Sequence, residues 1–397
     1  MGKERKTVRR MQGAEVRGKT VIVRVDYNVP IDAGTIQDDG RIRASLPTLE
    51  DLLDRGAQVV LITHLGRPDG VVVESLRLDP VARRLAELLG RPVRKLDDCV
   101  GPDVQQAVRA GKPGDVFVLE NLRFHGEEEA NDPAFAEALA ELGDLYVDDA
   151  FGTLHRAHAS TVGIAERRPA YAGLLVQQEI QVLSRVLHDP RRPYIAIVGG
   201  KKAADKLGAL RDLVARADQI LIGGGVAFTF LAASGVAVGS SAVDAKLFDD
   251  IRSIVRRAEE RGTEVVLPQD VVAAKSLAED ATTKVVPASG IPVGWSGFDI
   301  GPETVDVFSQ RIARAKTVVW AGPMGAFEWA PFAAGTRGVA AAVAVSPAYS
   351  VIGGGETGEA IARFGFLDRV SFVSTGGGAC LAYLRGKVLP ALEVLSD

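Results

Sequence analysis

Three short clusters place arginine beside histidine: HLGR at His64 to Arg67, NLRFH at Asn121 to His125, and HRAH at His155 to His158. Each follows an apolar run directly, in QVVLITHLGR, DVFVLENLRFH and DLYVDDAFGTLHRAH. Such runs read as buried parallel strands, and a parallel sheet releases its strands at one edge, where ligands bind. Three exits bearing Arg and His on one edge would converge on an anion. The second half of the chain answers with glycine: GGKKAADK from Gly199, GGGVAFTF from Gly223, GGGETG from Gly353 and TGGGAC from Thr375. A strand, then glycines, then a helix offers backbone N–H groups and a helix N-terminus to phosphate. A half that grips an anion with guanidinium groups and a half that cradles phosphate with backbone imply a two-lobed phosphoryl-transfer enzyme.

The elements that must position these groups alternate along the chain. Strand-like runs occur at 21–25, 59–63, 116–119, 145–147, 194–198, 219–222, 264–267, 317–320, 350–352 and 371–373. Amphipathic helical patterns lie between them, for example at 80–89, 133–142, 247–260 and 303–315. Near-continuous apolar strands separated by helices imply parallel sheets covered on both faces, and ten strands are more readily housed in two sheets than in one. The stretch QQEIQVLSRVLHD, closed by Pro190 and Pro193, reads as a helical connector between two domains.

Composition limits the classes of function. The chain has 397 residues, 47% hydrophobic and 25% charged, a length that favours two domains. A net charge of −4 disfavours non-specific nucleic-acid binding, so the arginines read as local sites for a small anion. Two cysteines, Cys99 and Cys380, form no disulfide framework, as expected of a reducing cytosol. The basic start MGKERKTVRRMQG lacks the apolar segment of a secretory signal, and no run is long enough for a membrane span. A soluble, cytoplasmic protein is expected.

Nine motifs in order carry a resemblance: RVDYNVP from Arg24, GRIRASLPT from Gly40, HLGRPDG, ENLRFHGEEE, DDAFGTLHRAHAST, GGGVAFTF, SGIPVGW, WAGPMGAFEW and VSTGGGA. The chain resembles the phosphoglycerate kinases over nearly its whole length. The resemblance implies an α/β fold of two Rossmann-like domains, each a parallel sheet flanked by helices, with a cleft and hinge between them. Residues 1–172 would bind the phosphoglycerate, 173–193 form the interdomain helix and hinge, and 194–378 bind the nucleotide. Residues 379–397 would return to the first domain. The implied reaction is reversible, Mg²⁺-dependent transfer between 1,3-bisphosphoglycerate and ADP, giving 3-phosphoglycerate and ATP, in line and on domain closure, by a monomer without nucleic-acid or membrane partners.

The same resemblance implies residue roles. His64, Arg67, Arg123 and Arg156 would hold the non-transferred phosphate, whose oxygens match the guanidinium fork. Asp26 and Asn28 would bond the C2 hydroxyl and the carboxyl end, and Arg41 would face the reacting carboxyl and the moving phosphoryl group. Arg41, Lys202 and Gly377 are thus the catalytic candidates. Lys206 would hold nucleotide phosphates. Gly224, Gly225, Gly297, Phe298 and Pro323 would line the adenosine slot, with Glu328 on the ribose. Gly354, Gly355, Glu356 and Thr357 would form the phosphate loop, with Glu356 meeting the metal. An acyl phosphate is already activated, so the chemistry calls for alignment and charge neutralisation and needs no general base.

Other residues read more plainly. His125 and His158 are expected to bond neighbouring backbone rather than a ligand, and Glu127 to Glu129 to form a solvated face. Neither GxGxxG nor GxxxxGK[ST] occurs. Four departures from the family pattern fall in the nucleotide half. Ala321 stands where the pattern has Asn, Glu356 where it has Asp, Lys201 and Ala203 where it has a small residue and then Val, and LPQDVVAAKSL blurs a further motif. They leave open a second class of function, a catalytically weakened relative that binds phosphoglycerate and regulates.

Overall fold

A computed structural model describes residues 7–396. The chain divides into two compact units, one running to Gln181 and resuming at Val388, the other spanning Val182–Lys387.

The first unit is built on a six-stranded sheet. Its strands lie in the order Arg94–Lys95, Val116–Val118, Gln58–Ile62, Thr20–Arg24, Leu145–Asp148, Ala170–Ala172. Every pairing is parallel. Arg24 pairs with Ile62 on one side and Asp148 on the other, so the central strands end level. All five residues of Gln58–Ile62 are buried, which explains why that strand is apolar from Val59 onward instead of alternating. Val21, Val23, Val59 and Leu61 meet Ile42, Leu49 and Leu52 of the helix Gly40–Asp54 in the core.

The second unit repeats the plan. Its strands lie in the order Glu264–Val266, Gln219–Ile222, Tyr194–Val198, Thr317–Ala321, Tyr349–Gly353, Phe372–Val373, again all parallel. Trp320, Phe308, Ile197 and Ile352 sit in its core. The unit also carries an antiparallel sheet, Lys284–Pro287, Asp270–Ala274 and Ser296–Ile300, which the apolar runs did not reveal. Its outer strand is largely exposed, so it lacks the continuous apolar signal of a buried parallel strand.

The helix Leu174–His188 occupies the expected connector, and the boundary between units falls inside it. The return to the first unit begins at Val388, later than the 379 expected. The helix Gly378–Leu384 stays with the second unit, where Arg385 Nε donates to Asp212 Oδ2 at 3.0 Å. Among the described residues, no helix is long and apolar enough to cross a membrane.

Candidate active site

The parallel topology brings the basic clusters of the first unit to one edge. Arg123 follows Val116–Val118, His64 and Arg67 follow Gln58–Ile62, Asp26, Asn28 and Arg41 follow Thr20–Arg24, and Arg156 follows Leu145–Asp148. These strands are consecutive neighbours in the sheet. Arg41 Nη1 donates to Asp26 Oδ2 at 2.9 Å and to the Asn28 carbonyl at 3.3 Å, while Asn28 Oδ1 accepts from Gly66 N at 2.9 Å. Arg123 Nη1 donates to the Gly66 carbonyl at 2.7 Å, tying the second strand exit to the first. Arg67 is exposed.

His64 lies at the electrostatic centre. Burial, and then the charges of Arg24, Arg123, Arg156 and Arg41, push its imidazole well below the ordinary 6.5. Its Nδ1 lies 3.1 Å from Arg24 Nη2; a guanidinium only donates, so Nδ1 accepts and the proton rests on Nε2. His64 is thus a neutral donor among guanidinium groups. Because the unfolded chain holds the His64 proton more tightly, its contribution to stability is complete above pH 6.5 and declines as pH falls toward the folded value. His64→Gln should therefore lose less stability than the parent between about pH 7.5 and about pH 5.5, measured by urea unfolding. Equal losses would show that His64 titrates normally.

The sequence reading missed the layer beneath. Arg24 is buried, and its Nε donates to Ser160 Oγ at 3.0 Å. Ser160 in turn donates from Oγ and N to the two carboxylate oxygens of Glu128, at 2.6 and 2.9 Å. Glu127 and Glu129 are exposed, as expected of a solvated face, but Glu128 between them is fully buried. Glu129 lies 3.2 Å from Arg123 and 3.7 Å from Arg156, a carboxylate bridging two of the guanidinium groups expected on a phosphate. Arg24 sits inside the motif RVDYNVP, but nothing local marks it as buried. His125 bonds Asp98 at 2.8 Å, a side-chain partner rather than backbone, and His158 Nδ1 lies 3.6 Å from Glu128.

The second unit gathers its glycines at the equivalent edge. A cavity of ≈ 560 Å³ is lined by Lys202, Lys206, Gly354, Gly355, Glu356, Thr357 and Gly377 among others. A second, of ≈ 410 Å³, is lined by Gly224, Gly225, Gly297, Phe298, Pro323 and Glu328. The two share Gly200, Lys201 and Glu356, so one elongated ligand can occupy both. The first carries Lys201, Lys202 and Lys206 against Asp205 and Glu356; the second is walled by Phe228, Phe298 and Trp329, which suit a heteroaromatic base. Gly322 is indispensable to the loop geometry. Its φ is +98°, a Cβ there would fall 2.2 Å from the Gly199 carbonyl oxygen, and its N donates to Thr357 Oγ1 at 2.7 Å. Burial lowers the Lys206 ammonium from its ordinary value, and the Glu356 carboxylate opposes the shift.

The phosphoglycerate kinase family model matches residues 11–387. The chain belongs to the phosphoglycerate kinase family. It is 52% identical over 389 residues to the phosphoglycerate kinase of Rubrobacter xylanophilus, covering 98% of each chain. To that of Moorella thermoacetica it is 50% identical over 387 residues, again 98% of each. The solved phosphoglycerate kinase of Coxiella burnetii superposes with a TM-score of 0.85 at 39% identity, over 98% of this chain and 99% of that one. That of Pyrococcus horikoshii gives 0.84 at 32%, over 97% and 98%.

Within the phosphoglycerate kinase frame, two departures meet through one lysine. Ala321, buried at the end of Thr317–Ala321 and paired with Gly353, lines a small apolar space together with Lys206. Lys206 shares the larger cavity with Glu356 and feels its charge. Ala321→Asn and Glu356→Asp are therefore expected to be coupled rather than additive in kcat/KM for the nucleotide, since each changes how Lys206 is held. A double-mutant cycle whose coupling energy cannot be distinguished from zero would refute the link.

Proposed function

We propose that this chain catalyses reversible phosphoryl transfer between 1,3-bisphosphoglycerate and ADP, yielding 3-phosphoglycerate and ATP, with closure of the two units bringing the reactants together. The guanidinium cluster around His64 carries the reading: burial leaves the imidazole neutral, and the surrounding charge waits for an anion. Arg123, Arg156, Arg67 and His64 hold the non-transferred phosphate. Asp26 and Asn28 orient the glycerate, and Arg41 faces its carboxyl end. Lys206 and the loop at Gly354 to Thr357 hold the nucleotide phosphates, while Gly224, Gly225, Gly297, Phe298 and Pro323 enclose the base and Glu328 meets the ribose. A β-phosphate oxygen of ADP attacks the acyl phosphorus, the bond from phosphorus to the carboxyl oxygen breaks, and a carboxylate leaves. Arg41, Lys202 and the backbone at Gly377 stabilise charge on the group in flight.

Glu356 offers a hard oxygen donor in the first turn of Gly355–Arg363, where the two cavities join, and this suits Mg²⁺ held jointly by a carboxylate and nucleotide phosphates. When bound, the ion would neutralise phosphate charge. A coupled assay with 3-phosphoglycerate, ATP and Mg²⁺ tests the proposal. Turnover is the expected result; intact glycerate binding without turnover would sink it and select the weakened, regulatory relative.

A further inference from the structure

Asp98, Cys99 and His125 take no part in the contacts assigned to either substrate, yet they form a compact donor set. One oxygen, the sulfur and one ring nitrogen all lie within 4.8 Å of one another. His125 Nε2 is 2.8 Å from Asp98 Oδ1, and the same oxygen accepts from Cys99 N at 2.7 Å, so the carboxylate is already turned toward the other two. The His125 ring packs on Phe135, centroids 5.1 Å apart, which limits its rotation. Cys99 is fully buried, whereas the side chains of His125 and Asp98 are 28% and 53% exposed, so the cluster has a closed thiol end and an open solvent end.

We propose that Asp98, Cys99 and His125 bind a thiophilic divalent cation of the zinc type, with water in the fourth position. Bonds of ~2.0–2.3 Å in a tetrahedral site place ligand atoms roughly 3.3–3.8 Å apart, a spacing that small side-chain rotations reach from the geometry present. Sulfur, imidazole nitrogen and carboxylate oxygen together select zinc or cobalt over magnesium, which prefers oxygen alone. On binding, the Sγ–H bond breaks, the Sγ–metal bond forms and the proton leaves to solvent. His125 gives up the Nε2 proton that now bonds Asp98, to solvent or through solvent to Nδ1, and the freed lone pair forms the bond to the metal shared with Asp98. His125 also joins the turn Leu122–Phe124, which carries Arg123, to the helix Gly126–Glu129, which carries Glu128 and Glu129. Ligation therefore anchors the segment that supplies part of the glycerate site.

The full-length protein titrated with Co²⁺ provides the test, because a thiolate–cobalt bond adds a near-ultraviolet charge-transfer band that oxygen ligands at Glu356 cannot produce. The expected result is a band that saturates at one equivalent, is displaced by Zn²⁺, survives Cys380→Ala and vanishes in Cys99→Ser. Losing a direct ligand costs at least the roughly tenfold that losing an outer-shell partner does, so His125→Gln should weaken binding by that factor or more. Circular dichroism without metal establishes that each variant folds. If Cys99→Ser does not fold, His125→Gln, at a partly exposed position, decides alone. No band in the parent would reduce the cluster to an ion pair between His125 and Asp98. A band that survives Cys99→Ser, or an affinity unchanged in His125→Gln, would equally overturn the site.

Discussion

Arg41→Ala is expected to lower kcat by ~10²–10³-fold while the KM for 3-phosphoglycerate changes much less, the loss seen when one charged or oxyanion donor is removed. Arg41 is the guanidinium placed by a carboxylate of the same site, Asp26 at 2.9 Å, and by the carbonyl of Asn28. Both partners follow the central strand Thr20–Arg24, so the head group is held at the middle of the sheet edge. An interaction that strengthens only as charge develops on the moving phosphoryl group appears in kcat, whereas one made equally to bound substrate appears in KM. Arg67→Ala and Arg156→Ala, whose proposed partner is the non-transferred phosphate, should instead raise KM. Steady-state kinetics with 3-phosphoglycerate and ATP as substrates separate the two behaviours. Near-normal kcat in Arg41→Ala would remove it from the catalytic set.

Glu128→Ala should destabilise the protein by about 3 kcal/mol, the lower end of what breaking a buried charge pair costs, since Ser160 bridges this pair. Arg24 and Glu128 are both buried, and neither has solvent to replace the lost partner. Burial alone would raise the Glu128 carboxyl. The bonds from His158 and Ser160 and the Arg24 charge more than reverse this and leave it below its ordinary 4.5. A depressed carboxyl contributes stability that is present above pH 4.5 and is lost as pH falls through the folded value; that acid sensitivity should disappear with the side chain. Glycerate binding should weaken as well, because Arg24 fixes the ring of His64. Urea unfolding and a binding titration read both effects. A stability within about 0.5 kcal/mol of the parent, as for an exposed glutamate, would contradict the network.

Much of this was legible from residue order. Apolar runs ending in HLGR, NLRFH or glycines marked strand exits, and a parallel sheet necessarily collects those exits at one edge. His64, Arg123 and Arg156 could therefore be brought together, and Lys206, Gly354 and Thr357 likewise, without any distance being known. Periodicity reports whether an apolar side chain is buried, and it does so from a few neighbours in the chain. Buried charge has no such local signature. Glu128 looks like its exposed neighbour Glu127, and only its bonds to Ser160, 32 positions away, and through it to Arg24, a further 136 positions back, take it out of water. The antiparallel sheet escaped for a related reason: its outer strand is too exposed to show a continuous apolar run. The late return at Val388 was set by the helix Gly378–Leu384, held by the contact of Arg385 with Asp212. The chain's own order thus determined which groups gather at each sheet edge. Only the tertiary structure decided which charges lie beneath them, because desolvation and pairing depend on neighbours that the linear sequence does not place side by side.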